Sequence, residues 1–132
     1  MKLEVIKMTT LKMSNEVIER LKKHMTTDSD QLILDFDDGV GAYSKVGVCS
    51  LDVSFRFLVV DQESVDDSIF DEALDSPMGK VLIKSYADNY FIDEAPKLDL
   101  SKLGLITLKT NTGVIDTNVE ILDHPETVAA SK

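Results

Sequence analysis

The sequence predicts a mainly β, α+β domain in which a compact β-sandwich carries one helix near its N-terminus. Three observations carry this. Short segments rich in β-branched and aromatic residues recur at close spacing from Gln31 onward, residues 51–60 alternate apolar and polar side chains, and residues 14–25 place apolar side chains at helical spacing. Strands that follow one another without an intervening helix argue against alternating βαβ units.

In chain order, residues 3–7, LEVIK, alternate briefly and predict a first strand. Residues 14–25, SNEVIERLKKHM, set Val17, Ile18, Leu21 and Met25 on one face of a helix. Ser14 is placed to cap its N-terminus, and Glu16 lies in the first turn, where the helix dipole favours an anion. From Gln31 the period changes, and QLILDF reads as a strand that ends at an Asp/Gly-rich turn. In residues 51–60, LDVSFRFLVV, the side chains of Leu51, Val53, Phe55, Phe57 and Val59 fall on one side and those of Asp52, Ser54 and Arg56 on the other. This predicts a strand with one apolar and one polar face.

Segment 61–79 is acidic, holds Ile69, Ala73 and Leu74 as a short helical stripe, and stops at a Pro-Met-Gly turn; a short helix or an acidic loop fits. Four further strands are legible as KVLIKSY, YFIDE, GLITLKT and VIDTNVEIL, separated by Asp88-Asn89, by Pro96 and by Asn111-Thr112-Gly113. Residues 1–123 read as one domain and residues 124–132, HPETVAASK, as a flexible tail.

The composition is that of an ordinary globular chain, with 43% apolar and 29% charged residues. A net charge of −10, from 24 carboxylates against 14 Lys and Arg, repels phosphate backbones and anionic lipid surfaces, so nucleic acid and membrane are excluded as partners. No run approaches the ~18 apolar residues of a membrane span, and MKLEVIKMTTLKM lacks the uninterrupted apolar centre of a signal peptide. With Cys49 the only cysteine, no intrachain disulfide forms, which fits a reducing, cytoplasmic setting.

Several constellations invite a chemical reading. The turn Asp35, Asp37, Asp38, Gly39 fails as an EF-hand loop, because the fifth position from Asp35 is Gly39 where a ligand is needed; it reads as a solvated turn. Gly39 to Ser44 is a partial glycine-rich pattern followed by a strand, where a phosphate cradle needs a helix N-terminus. The loop is nevertheless the expected place for binding, and Tyr43, Ser44, Lys45 and Cys49 are its versatile side chains. Cys49 reads first as a packed thiol and second as a metal ligand or redox group, since neither His24 nor His124 stands in a sequence context that marks it as a base. Both histidines read as surface residues, and His24 suits the negative end of its helix when protonated. No nucleophile, base and orienting group can be named together, so the sequence predicts no enzyme.

The phrases DFDDGVG, FLVVD ending at Asp61, VLIKSYADNYFIDEAP and KLDL, followed by a closing pair of strands, resemble the HesB-like family of A-type iron–sulphur cluster carriers and scaffolds. The likeness runs from Leu3 to Leu122 and implies that family's β-rich, sandwich-like fold with a helix against it. It also implies three cysteine ligands, one in the loop after the second core strand and two in a C-terminal pair. Cys49 stands near the first position, in a longer loop; where the pair is expected the chain reads Ile115, Asp116 and Thr117. A cluster requires several thiolates, and carboxylates are poor substitutes for soft donors. The resemblance therefore implies an auxiliary or partner-binding module of iron–sulphur assembly, with assembly proteins as partners and impaired or no ligation. The alternative is a carrier that holds iron or a cluster through Cys49 across a homodimer.

Overall fold

The N-terminal helix begins where sequence chemistry starts it. In the computed structural model, which describes residues 9–36, 55–84 and 95–124, Ser14 is extended and its hydroxyl accepts the N–H of Val17 at 3.3 Å. Helix α1 then runs Asn15–Lys22, burying Val17 and Leu21 while Glu16, Glu19 and Lys22 are exposed. It follows a short strand β1 (Lys12–Met13).

Eight further strands make up the described body: β2 (Asp30–Phe36), β3 (Phe55–Asp61), β4 (Glu72–Ser76), β5 (Gly79–Ile83), β6 (Lys97–Leu100), β7 (Ile106–Thr110), β8 (Gly113–Asp116) and β9 (Glu120–Asp123). Together with β1 they form two mixed sheets, a five-stranded one in the order β4-β5-β2-β3-β9 and a four-stranded one in the order β1-β6-β7-β8. In the larger sheet β2 runs antiparallel to β3 and parallel to β5, and β9 runs parallel to β3. The α+β, mainly β expectation is met.

Strand alternation divides the core. Leu32 and Leu34 of β2, Phe55, Phe57 and Val59 of β3, and Val81 and Ile83 of β5 share one cluster with Val17, Leu21, Leu98, Ile106 and Leu108, which joins the two sheets and the helix. The opposite face of the large sheet holds Ile33, Leu58, Val60 and Phe70, with Val65 and Ile69 packed on them. Because both faces of β2 and β3 are covered, their strands are buried almost throughout, and Arg56 is 5% exposed. The polar face predicted for Arg56 is thus corrected: period-two alternation reports which face a side chain takes, and residues 65–70 have covered the second face.

Three other expectations change. Ala73 and Leu74 lie in β4, which pairs with β5 in a hairpin turning at Pro77-Met78 with Gly79 at φ +95°, and helical bonding in this acidic segment is confined to a 3₁₀ turn at Gln62–Ser64 and a single turn in which the N–H groups of Ile69 and Phe70 reach the carbonyl of Asp66. Asp35 is 1% exposed and belongs to β2 instead of a solvated turn. VIDTNVEIL is two strands in two sheets: β8 pairs with β7, the chain turns at Thr117 to Val119, and β9 pairs with β3. KLDL, noticed as a phrase, is strand β6. The expected strands LEVIK and YFIDE lie outside the described residues.

Candidate functional site

Tyr43, Ser44, Lys45 and Cys49 all lie outside the described residues; the strand ends on either side of their segment are described. Phe36, the last residue of β2, is the register partner of Phe55, the first of β3, and the two rings stack with centroids 5.3 Å apart. Residues 37–54 therefore leave and rejoin the sheet at one point.

One residue further into the sheet lies a buried ionic cluster. Asp35 and Arg56 are register partners, and the guanidinium of Arg56 donates to Asp35 Oδ2 through Nε at 3.1 Å and Nη2 at 2.9 Å. On the other side the Ile33–Leu82 register carries the chain to Lys84, whose ammonium lies 3.1 Å from Asp35 Oδ1 and donates to the carbonyl of Phe36 at 3.0 Å. Lys84 is fully buried and its ammonium stands 5.8 Å from the centre of the Phe70 ring. Burial raises the Asp35 carboxyl above its ordinary value, against the opposing pull of Lys84 and Arg56. Taking such ions out of water costs several kcal/mol each unless they are paired, so the three charges hold one another in place. Sequence reasoning missed this cluster, although an arginine inside the apolar run FRFLVV was the available signal: a charge in a strand covered on both faces must find a partner.

The position expected to carry the C-terminal thiols comes to the same place. Asp116, at the end of β8, accepts the backbone N–H of Phe55 at 2.8 Å through Oδ2 and that of Asn118 at 2.9 Å through Oδ1. The first bond ties the small sheet to the point where the Cys49 segment rejoins β3; the second makes the turn that sends the chain on to β9. The fold thus brings the implied C-terminal ligand position to the root of the implied N-terminal one. What stands there is a carboxylate whose two oxygens each accept a backbone N–H, flanked by half-buried Ile115 and exposed Thr117. With one cysteine in the whole chain, this donor set does not fit an iron–sulphur cluster within one subunit. Among the described residues no group of three or more His, Cys, Asp and Glu side chains is placed to hold a metal ion.

A separate groove of about 330 Å³ lies between α1, the β6–β7 loop and β9, lined by Arg20, Leu105, Val119, Glu120 and Ile121 among others. Arg20 is committed to the scaffold there, donating to the carbonyl of Gly104 at 2.6 Å. No helix among the described residues is long and apolar enough to cross a membrane.

Comparison with known proteins gives these elements a context. Residues 9–123 match the family model described as iron–sulphur cluster biosynthesis. The chain is similar to the crystal structure of a candidate Fe–S biosynthesis protein from Lactobacillus salivarius, described as having a novel protein fold, with 33% identity, a TM-score of 0.75, and coverage of 89% of this chain and 99% of that one. A second crystal structure, of a candidate Fe–S biosynthesis protein from Lactobacillus acidophilus, is 20% identical with a TM-score of 0.61, covering 86% of this chain and 89% of that one, and speaks for the fold. No curated protein matches the chain.

Proposed function

Because this chain belongs to the iron–sulphur cluster biosynthesis family, we propose that it serves cluster assembly as a partner-binding, auxiliary module and not as a carrier with its own ligand set. The observation that supports this most directly is Asp116: at the place where the family resemblance implies thiolates, a carboxylate is engaged by the N–H groups of Phe55 and Asn118. A hard oxygen donor, each of whose two oxygens already accepts a backbone N–H, is a poor ligand for iron in a sulphide cluster. Its work is structural, since it fastens β8 to the base of the 37–54 segment.

On this reading the protein is not an enzyme, works in the cytoplasm and recognises other assembly proteins through its surface. The 37–54 segment, with Tyr43, Ser44, Lys45 and Cys49, is the proposed binding loop, because it springs from the rigid Asp35–Arg56–Lys84 cluster and a loop on a rigid base can present side chains to a partner. Residues 1–123 act as one domain in this account.

Anaerobic reconstitution with iron, sulphide and thiol tests it. The expected result is the same low iron content and the same featureless visible spectrum for the wild type and Cys49→Ala. Visible charge-transfer absorbance and retained iron in the wild type, both lost in Cys49→Ala, would instead establish a carrier that uses Cys49 across a homodimer.

A further inference from the structure

Two histidines that read as unconnected surface residues in the sequence meet on one carboxylate. His24, just beyond α1, lies with Nδ1 3.2 Å from Asp123 Oδ2, and His124, just after β9, lies with Nδ1 2.6 Å from Asp123 Oδ1. The other ring nitrogen of His124, Nε2, is 2.9 Å from Oδ1 of Asp30, the first residue of β2. The Asp30 side chain is 2% exposed, and its second oxygen accepts the N–H groups of Thr26 at 2.9 Å and Thr27 at 3.2 Å. A chain of contacts, His24 to Asp123 to His124 to Asp30, therefore links the end of α1, the end of β9 and the start of β2.

Ring chemistry fixes the protonation state this requires. An ionised carboxylate only accepts, and a neutral imidazole carries one N–H. With a carboxylate oxygen at each ring nitrogen, His124 satisfies both only as an imidazolium. Removing one proton leaves two acceptors facing each other, and one contact must open. The backbone adds to the tension: His124 has φ +48°, a left-handed conformation uncommon for residues with a side chain, and its N–H is held by the carbonyl of Val59 at 2.7 Å. Strand β9 is an edge strand of residues Glu120–Asp123 that pairs with β3 alone among the described strands, so its end depends heavily on these bonds.

We propose that His124 is a proton-dependent latch, whose imidazolium pins the end of edge strand β9 to β2 and α1 and whose deprotonation frees that end. The charged groups around it are Asp30 from β2, Asp123 from β9 and, through Asp123, His24 from the end of α1. The carboxylate of β3 that stands opposite Asp30 in register, Asp61, is occupied by the N–H of Glu63. Hydrogen bonds to Asp123 and then Asp30 raise the His124 imidazole above its ordinary 6.5. Hydrogen bonds from His124 and His24 hold Asp123 below its ordinary 3.8, and Asp30 is also lowered, since bonds from Thr27, His124 and Thr26 together overcome the raising effect of its burial. A raised imidazole contributes stability that is complete below 6.5 and lost as pH rises through the folded value; the lowered carboxylates contribute stability that is complete above 3.8 and lost as pH falls through theirs. The latch is closed in the window between, and opens on the alkaline side.

Amide hydrogen exchange on the full chain, read at about pH 6 and about pH 8.5 and corrected for intrinsic rates, tests this. Protection of the β9 amides and of the amide of residue 124 should fall several-fold in the wild type from the lower to the higher pH, while Leu34 and Phe57 keep theirs. His124→Gln should show the low β9 protection at both pH values. A nitrogen-detected NMR titration reads the ring directly, with both His124 nitrogens protonated at neutral pH and a midpoint above 6.5 as the expected result. A midpoint at or below 6.5, pH-independent β9 protection in the wild type, or wild-type protection in His124→Gln would each overturn the latch.

Discussion

Asp116 joins parts of the chain that are distant in sequence, since its carboxylate holds the N–H of Phe55. Replacing it by alanine leaves that donor and the Asn118 donor without their acceptor, so Asp116→Ala should lose about 1–3 kcal/mol, read as a lower urea midpoint with an unchanged slope. Asp35 is the more sensitive position. Asp35→Ala takes away the carboxylate that lies between the ammonium of fully buried Lys84 and the guanidinium of Arg56, and should lose about 3–5 kcal/mol by the same measurement. Adding Lys84→Met to that variant should recover part of the loss, because an apolar chain of similar length takes one of two neighbouring like charges out of the core. A double variant no more stable than Asp35→Ala would show that the cluster does not act as a unit.

Helix α1 and strands β2, β3, β5 and β7 were legible because their local patterns agree with their packing: Ser14 caps, Val17 and Leu21 repeat at helical spacing, and QLILDF and FRFLVV are apolar runs of strand formers. Leu21→Ala, which opens a void where the helix meets both sheets, should cost about 2–5 kcal/mol in thermal or urea unfolding. The elements that eluded sequence reading are those set by tertiary partners. Strand β4 is short and acidic, with Glu72 and Asp75 exposed and Leu74 alone deeply buried, and it is made a strand by pairing with β5 and by bonds between Thr9, Leu11 and Asp75. The break between β8 and β9 is likewise invisible in VIDTNVEIL, because it depends on the Asp116 side chain folding back on Asn118 and on the N–H of Val119 reaching Ile106. The candidate site was half legible. Ile115, Asp116 and Thr117 were marked together as standing where thiols are expected, but that Asp116 fastens Phe55, and that Asp35, Arg56 and Lys84 share one buried cluster, follows only from strand register.

Taken together, two mixed sheets sharing one core, with a second apolar layer over the larger sheet, give a rigid body whose charged interior supports the root of residues 37–54. The net charge of −10 repels other polyanions and attracts basic surfaces. A role related to iron–sulphur biosynthesis follows from family membership; the auxiliary role proposed above rests on the chain's single cysteine and on the Asp116 carboxylate engaged by the backbone. The proposed role therefore depends on whether this chain can hold a cluster at all. Native mass spectrometry after anaerobic reconstitution answers that for monomer and dimer in a single spectrum. The account predicts the mass of the bare polypeptide in both the wild type and Cys49→Ala; a dimer carrying the added mass of iron and sulphide, absent from Cys49→Ala, would contradict it.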